Sequence, residues 1–128
     1  MNEATDWQRW VQYAEDDYTA ARSLLRRRRP LTAIACFHAQ QCAEKYLKAA
    51  LVSQGCDFPK THDLSALNML CEQAGILPGI GPTQLGVLSA YAVQARYPGD
   101  SPTLEEAQVA LQIAQAVRRF VRRFLGIR

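Results

Sequence analysis

The sequence has no long apolar run and no signal peptide, and these two absences exclude several classes of protein. No stretch approaches the roughly 18 apolar residues that a membrane-spanning helix needs. The first ten residues, MNEATDWQRW, carry acidic residues and tryptophans where a signal peptide has a basic block and an apolar block. We therefore expect a cytoplasmic protein that does not associate with a membrane.

The cysteines lack the spacing of a disulfide framework or a zinc site. The chain has four, Cys36, Cys42, Cys56 and Cys71, and no two form a C-x-x-C pair. On a helix, the side chains of Cys36 and Cys42 point in directions that differ by about a third of a full rotation around the helix axis. We therefore expect no disulfide between them and no shared metal ion. Because the chain also has only two histidines, we expect reduced thiols and no bound metal.

Motifs for common cofactors and nucleophiles are missing as well. The chain contains no P-loop, no dinucleotide-binding glycine fingerprint, no H-E-x-x-H and no nucleophile elbow. The sequence thus predicts no cofactor and assigns no catalytic residue.

Positive charge is concentrated in two arginine clusters. Ten of the 15 lysines and arginines belong to them: Arg22 with Arg26–Arg29, and Arg118, Arg119, Arg122 and Arg123 with Arg128. Such clusters bind phosphate groups. Arginines in the last turns of helices also interact favourably with the helix dipole and need no ligand, and we favour this interpretation for each cluster alone.

Apolar spacing predicts helices and no strand in the first half of the chain. A first helix runs from about Asp6 to the arginine run before Pro30. Its apolar stripe, with steps of four and three, consists of Trp7, Val11, Ala14, Tyr18, Ala21 and Leu25. A second helix runs from roughly Leu31 to Gln54. Its broad face of small residues predicts a central position, and its polar wedge holds Gln40, Gln41, Glu44, Lys45 and Lys48.

Three more helices follow. A short one is capped by Thr61 or Asp63 and ends at Gly75. A fourth begins at Pro82, with Leu85, Leu88, Ala92 and Ala95 on one side. The last begins at a Thr103–Glu106 capping box, and its inward residues are Leu104, Ala107, Leu111, Ala114, Val121 and Leu125. We predict an all-α, up-and-down bundle of four long helices plus one short helix, forming a single domain over residues 1–128.

Three segments carry a family resemblance. FHAQQCAEKYLKAALVSQG, KTHDLSAL and ARYPGD, in this order and spacing, resemble the HEPN domain (higher eukaryotes and prokaryotes nucleotide-binding). The resemblance covers nearly the whole chain. It implies a helical bundle that forms a homodimer, and small members often work with a minimal nucleotidyltransferase in two-component or toxin–antitoxin modules. Other members are metal-independent ribonucleases.

The ribonuclease members carry an arginine followed, after four to six residues, by a histidine. Arg96 matches the arginine, but the chain has no histidine after position 62. RNA cleavage without a metal needs a group that moves a proton, and a guanidinium stays protonated. Tyr97 is a poor substitute because a phenol titrates near pH 10. Arg96 and Tyr97 are therefore predicted as phosphate and base contacts, or as a helix-terminal arginine beside a packed aromatic ring.

The polar wedge supplies the other candidate ligand residues, Gln41, Glu44 and Lys45, which form either a pocket wall, a protein interface or a solvated face. His38, at the edge of the wedge, is either a ligand contact or a hydrogen-bonded structural residue. For His62 we favour a structural role in the turn before the short helix. Asp17 requires a partner on a neighbouring helix, and Lys45 and Arg96 are the candidates.

Three functions remain open. The first is a nucleotide-binding or accessory protein with a nucleotidyltransferase partner. The second is a ribonuclease that uses Arg96 with a displaced base, His38 or His62. The third is a purely structural helical oligomer. In a strictly alternating bundle the two arginine clusters lie at opposite ends, so the sequence predicts no continuous RNA groove within one monomer.

Overall fold

The computed structural model describes residues 3–93, 97 and 99–127, with side chains from residue 6 onward. Within these ranges the chain forms five α-helices, one 3-10 turn and no strand. The helices are α1 (Glu3–Arg26), α2 (Thr32–Ser53), α3 (Leu64–Gln73), α4 (Pro82–Ser89) and α5 (Leu104–Phe124), and the 3-10 turn is Ala90–Ala92. The predicted all-α fold is confirmed.

Helix α2 is the central element, as its small residues predict. It packs against α1 on one side, α5 on another and α3 on a third. Its alanines and cysteines let these helices approach closely, and the fully buried ones include Cys36, Cys42, Ala43, Ala49 and Ala50. Helices α1 and α5 run antiparallel, since Glu15 meets Arg118 while Tyr18, further along α1, meets the earlier Gln115.

The predicted helix starts are confirmed at two positions. The Asp63 carboxylate accepts from the backbone N–H groups of Ser65 and Ala66 and so caps α3. Thr61 has another role, because its hydroxyl accepts from the backbone N–H of Asp63. At α5, Thr103 and Glu106 form the reciprocal capping box. Each arrangement satisfies backbone donors that the first turn leaves unpaired.

The fourth helix is shorter than predicted. Helix α4 ends at Ser89, Ala92 belongs to the 3-10 turn, and Val93 is extended. Gly86 in its middle lowers its helix propensity. At its end the Ser89 hydroxyl accepts from the backbone N–H of Leu64, at 2.9 Å, and so serves the start of α3. Ala95 lies outside the described residues, and the described bundle therefore has three long helices and two short ones.

The predicted core positions are largely confirmed. On α1, Val11, Ala14, Tyr18 and Ala21 are buried, and Trp7 and Leu25 pack against the core. On α5 the buried residues are Ala107, Ala110, Ile113, Ala114, Val117 and Val121. Leu104 differs from the prediction, since it is the first residue of α5 and 43% exposed.

Candidate functional site

The polar wedge of α2 lies partly inside the molecule. Gln40, Glu44 and Lys48 are only 0%, 3% and 7% exposed, whereas Gln41 and Lys45 are half-buried. Helix α1 and the chain before α3 cover the first three residues, so these side chains are not a solvated face. A polar group at such depth is stable only with partners.

Glu44 is the centre of this buried network. Its Oε1 accepts from Gln40 Nε2 at 3.2 Å and lies 2.8 Å from His62 Nδ1, and its Oε2 accepts from Lys48 Nζ at 3.0 Å. Burial raises the pKa of the Glu44 carboxyl, but the hydrogen bonds from His62, Lys48 and Gln40 outweigh burial and lower it. These contacts favour a positioning role for Glu44 over the predicted ligand contact.

Lys48 is held in the same region by aromatic rings. Its Nζ lies 5.4 Å from the ring centroid of Trp10 and 5.5 Å from that of Phe58. Such cation–π contacts stabilise a desolvated ammonium group. Together Glu44 and Lys48 join α1, α2 and the segment that leads into α3.

Asp17 brings two of the predicted site residues together. Its Oδ2 accepts from Lys45 Nζ at 2.6 Å, which confirms the predicted Asp17–Lys45 pair, and its Oδ1 lies 2.7 Å from His38 Nδ1. The Asp17 side chain is 10% exposed, and those of His38 and Lys45 are 28% and 24% exposed. A buried carboxylate thus holds a cation and an imidazole that both reach the surface.

The contact with Asp17 also orients the His38 ring. A carboxylate at Nδ1 favours the tautomer with the proton on that nitrogen, so the Nε2 lone pair is available as an acceptor. No hydrogen bond to His38 Nε2 is present among the described residues. A histidine in this arrangement can accept a proton from a ligand, and it is also a well-satisfied structural residue.

Gln41 connects the surface to the buried network. Its Nε2 donates to Gln40 Oε1 at 2.7 Å, and Gln40 Nε2 in turn donates to the backbone carbonyl of His62 at 3.0 Å. His38, Gln41 and Lys45 occupy positions i, i+3 and i+7 of α2 and therefore share one stripe of the helix. We call His38, Gln41 and Lys45 the α2 surface.

Tyr97 makes no side-chain contact with the α2 surface among the described residues. The residue is 81% exposed, and its backbone carbonyl accepts from the N–H of Asp100 at 3.0 Å. Among the described residues no ring contact or side-chain hydrogen bond of Tyr97 is present. Its ring is therefore accessible for stacking, and Arg96, its predicted companion, lies outside the described residues.

A second ionic cluster, which the sequence analysis did not predict, joins α1, α2 and α5. Arg118 donates from Nε and Nη2 to both oxygens of Glu15, at 2.7 and 2.8 Å. The Tyr46 hydroxyl also donates to Glu15, and Arg122 Nη1 lies 3.3 Å from that hydroxyl. Two arginines of the C-terminal cluster are thus bound by side chains of α1 and α2, a contact that differs from the predicted interaction with the helix dipole.

The pKa values in this cluster follow from burial and from the ion pair. Burial raises the pKa of the Glu15 carboxyl, but hydrogen bonds from Arg118 and Tyr46 outweigh burial and lower it. The pKa of the Tyr46 phenol is raised, first by burial and then by its bond to Glu15. Tyr46 therefore remains a neutral donor to Glu15.

The cysteines are all free thiols. Burial raises the pKa of Cys42, and it raises the pKa of Cys71 to about 12, so neither is an activated nucleophile. In the part of the chain that the structure describes, no group of three or more His, Cys, Asp or Glu side chains is placed to hold a metal ion. The same part contains no helix long and apolar enough to cross a membrane.

Comparisons with known proteins agree with the all-α fold. The family model described as HEPN domain matches residues 7–124. Among solved structures, the chain is similar to TT1696 from Thermus thermophilus, with 29% identity, a TM-score of 0.69, and coverage of 96% of this chain and 98% of that one. It also shares its fold with ST0689, an archaeal HEPN homologue, at 24% identity and a TM-score of 0.68, covering 93% and 97% of the two chains. No curated protein matches.

Proposed function

Because the chain belongs to the HEPN domain family, we propose that it is a nucleotide-binding or accessory protein that works with a minimal nucleotidyltransferase partner. The proposal includes a homodimer, residues 1–128 as one domain, and a two-component or toxin–antitoxin arrangement. The chain would carry out no covalent chemistry of its own. The observation that carries the proposal is the α2 surface, where Asp17 holds Lys45 and His38 at the boundary with solvent.

The α2 surface has the chemistry to contact a nucleotide. The Lys45 ammonium offers a positive charge to a phosphate, and Gln41 offers an amide that both donates and accepts. We propose that Arg96 adds a bidentate phosphate contact and that Tyr97 stacks on a base. Glu44, which is buried, would act through Gln40 and the His62 segment by fixing the shape of the surface.

Calorimetric titration with nucleoside triphosphates tests this proposal. Lys45→Gln is expected to weaken binding about tenfold, which is what one lost charge-assisted phosphate contact costs. Lys60→Gln removes the same charge from an exposed position outside the α2 surface and should bind like the wild type. Thermal unfolding of both variants separates lost binding from lost folding, because Lys45 also pairs with Asp17.

Two further measurements test the partner and the dimer. Co-purification with the product of the neighbouring gene is expected, and sedimentation velocity should give twice the 14.3 kDa of the chain. If the protein binds neither nucleoside triphosphates nor the product of the neighbouring gene, the proposal is wrong. An oligomer without either activity would indicate the purely structural function.

A second function, metal-independent RNA cleavage, is favoured by the Asp17–His38 contact. His38 Nε2 would take the proton of a ribose 2′-hydroxyl as that oxygen attacks phosphorus. The bond to the 5′-oxygen breaks, the leaving oxygen takes a proton from water, and the hydroxide so formed removes the proton from His38, so that the products are a 2′,3′-cyclic phosphate and a 5′-hydroxyl. This route supplies the proton acceptor that Arg96 cannot provide.

Cleavage of a single-stranded RNA in the presence of EDTA tests this second function. Activity should disappear in His38→Ala and fall in Asp17→Asn, because the carboxylate orients the ring. His62→Ala tests the other candidate base, which contacts Glu44 and is 68% exposed. Activity retained in His62→Ala and lost in His38→Ala assigns the proton transfer to His38. Intact RNA after incubation with the wild type excludes cleavage.

A further inference from the structure

A polar cleft lies between α1 and α5, and no residue of α2 lines it. Its volume is about 480 Å³, which falls within the range of small-molecule sites. Its lining residues are Tyr18, Arg22, Leu25, Arg26, Gln108, Leu111 and Gln115. None of them belongs to the α2 surface, so the cleft and the proposed function can be tested separately.

The cleft carries positive charge that no carboxylate of the described residues neutralises. Arg22 and Arg26 are four residues apart on α1 and therefore point to the same side of the helix. No carboxylate of the described residues lies within ion-pair distance of either guanidinium, and none lines the cleft. Glu15, one turn before Tyr18, has both oxygens bound by Arg118.

The wall behind these arginines is held in place by the chain itself. Gln115 Nε2 donates to the Tyr18 hydroxyl at 3.3 Å. The guanidinium carbon of Arg118 lies 4.5 Å from the centroid of the Tyr18 ring, and that of Arg22 lies 5.5 Å from it. Since Tyr18 and Gln115 are fixed before any ligand arrives, binding requires little ordering of this wall.

The rest of the lining is mixed in character. Leu25 and Leu111 are half-buried and offer an apolar surface, and Gln108 offers an exposed amide that can donate and accept. Two guanidinium groups with no ion-pair partner in the described part of the chain suit a phosphate, which they bind through paired N–H donors. A bare phosphate ion leaves most of the cleft empty, whereas a phosphate attached to a flat organic group also covers the leucines.

We propose that the α1–α5 cleft binds a small phosphorylated organic molecule, with its phosphate on Arg22 and Arg26 and its organic part against Leu25 and Leu111. This site is additional to the α2 surface and does not depend on the function proposed for it.

Calorimetric titrations with AMP, pyrophosphate and adenosine test the proposal. AMP is expected to bind more tightly than pyrophosphate, because it also covers the leucines, and adenosine is expected to bind at least tenfold more weakly than AMP. The double variant Arg22→Gln/Arg26→Gln should weaken AMP binding at least tenfold. Because the α2 surface is itself proposed to bind nucleotide phosphate, the titrations are repeated in the Lys45→Gln background. AMP binding that persists there and falls at least tenfold on adding Arg22→Gln/Arg26→Gln belongs to the cleft, and the absence of such binding shows that the cleft proposal is wrong.

The arginine run provides a matched control. Arg27→Gln/Arg28→Gln removes the same two charges from exposed residues that do not line the cleft, and it should bind AMP like the wild type. If this control weakens binding as much as the cleft variant does, the attraction is non-specific and the proposal is wrong. It is equally wrong if neither AMP nor pyrophosphate binds, or if adenosine binds as tightly as AMP. Should the double variant unfold, Arg26→Gln alone, at an exposed position, replaces it.

Discussion

Replacing Glu44 and Lys48 singly and together tests whether the polar wedge of α2 is an interior network. Their side chains are 4% and 9% exposed and 3.0 Å apart. Glu44→Leu leaves the Lys48 ammonium buried with only the Trp10 and Phe58 rings as partners. Lys48→Met removes the cation but leaves Glu44 with its donors Gln40 and His62.

The three variants should differ in a characteristic order. Removing one partner of a buried ion pair lowers the free energy of unfolding by about 3–5 kcal/mol. For Glu44→Leu we expect about 3 kcal/mol, because the two aromatic rings still stabilise the Lys48 ammonium group. Lys48→Met should cost less, about 1.5 kcal/mol, because the remaining carboxylate is still hydrogen-bonded. The double variant should cost about 1 kcal/mol, well below the sum of the single changes, because apolar residues replace a buried ion pair at little cost.

Urea unfolding at pH 7, followed by tryptophan fluorescence and circular dichroism, gives the free energies of unfolding. Glu105→Leu, at an exposed position in the first turn of α5, controls for the loss of an acidic residue and should change stability by about 0.5 kcal/mol. If the loss of stability in the double variant equals the sum of the two single losses within about 0.5 kcal/mol, the two side chains do not interact. The wedge would then be solvated in solution, contrary to the structure.

Three further predictions concern acid stability, the second ionic cluster and a helix cap. The folded-state pKa values of Glu15 and Glu44 are both lowered. The stabilisation that these two carboxylates provide is therefore fully present above the ordinary carboxyl pKa of 4.5, and it is lost as the pH falls through the lowered pKa values. The midpoint of urea unfolding should drop between about pH 5 and pH 3. An unchanged midpoint would contradict the lowered pKa values. Arg118→Ala should cost about 1.5 kcal/mol through its bidentate bond to Glu15, while exposed Arg119→Ala should cost almost nothing in the same urea assay. Thr103→Ala should destabilise the protein by about 1 kcal/mol by removing the α5 cap, and a thermal shift indistinguishable from zero would show that the cap is not used.

Local patterns in the sequence predict most of the helix positions. The start of α3 at Asp63 and of α5 at Thr103 follows from side chains that satisfy the first backbone N–H groups, so two or three neighbouring residues determine each start. The end of α4 is less local, because Ser89 interacts with the backbone of Leu64 on another helix. Propensity alone therefore predicts a longer helix than the chain forms.

Burial of the polar wedge could not be predicted in the same way. Apolar spacing shows which side of α2 is hydrophobic, but not that α1 and the chain before α3 also cover Gln40 and Glu44. Asp17 interrupts the edge of the apolar stripe of α1, so the sequence indicates a partner on a neighbouring helix, with Lys45 and Arg96 as the candidates, and the structure pairs it with Lys45. The Glu15–Arg118 pair joins residues 103 positions apart, and no sequence pattern within either helix indicates it.

The order of the helices affects when the cleft between α1 and α5 comes into existence. Helices α1 and α2 are joined by the short turn at residues 27–31, whereas residues 54–103 separate α2 from α5. Loop closure is entropically cheaper for the shorter connection, so the α1–α2 hairpin can order while the ribosome is still translating the rest of the chain. The α5 half of the cleft leaves the ribosome after the α1 half, and a nascent or proteolysed chain that ends before Leu104 presents Arg22 and Arg26 without the opposite wall.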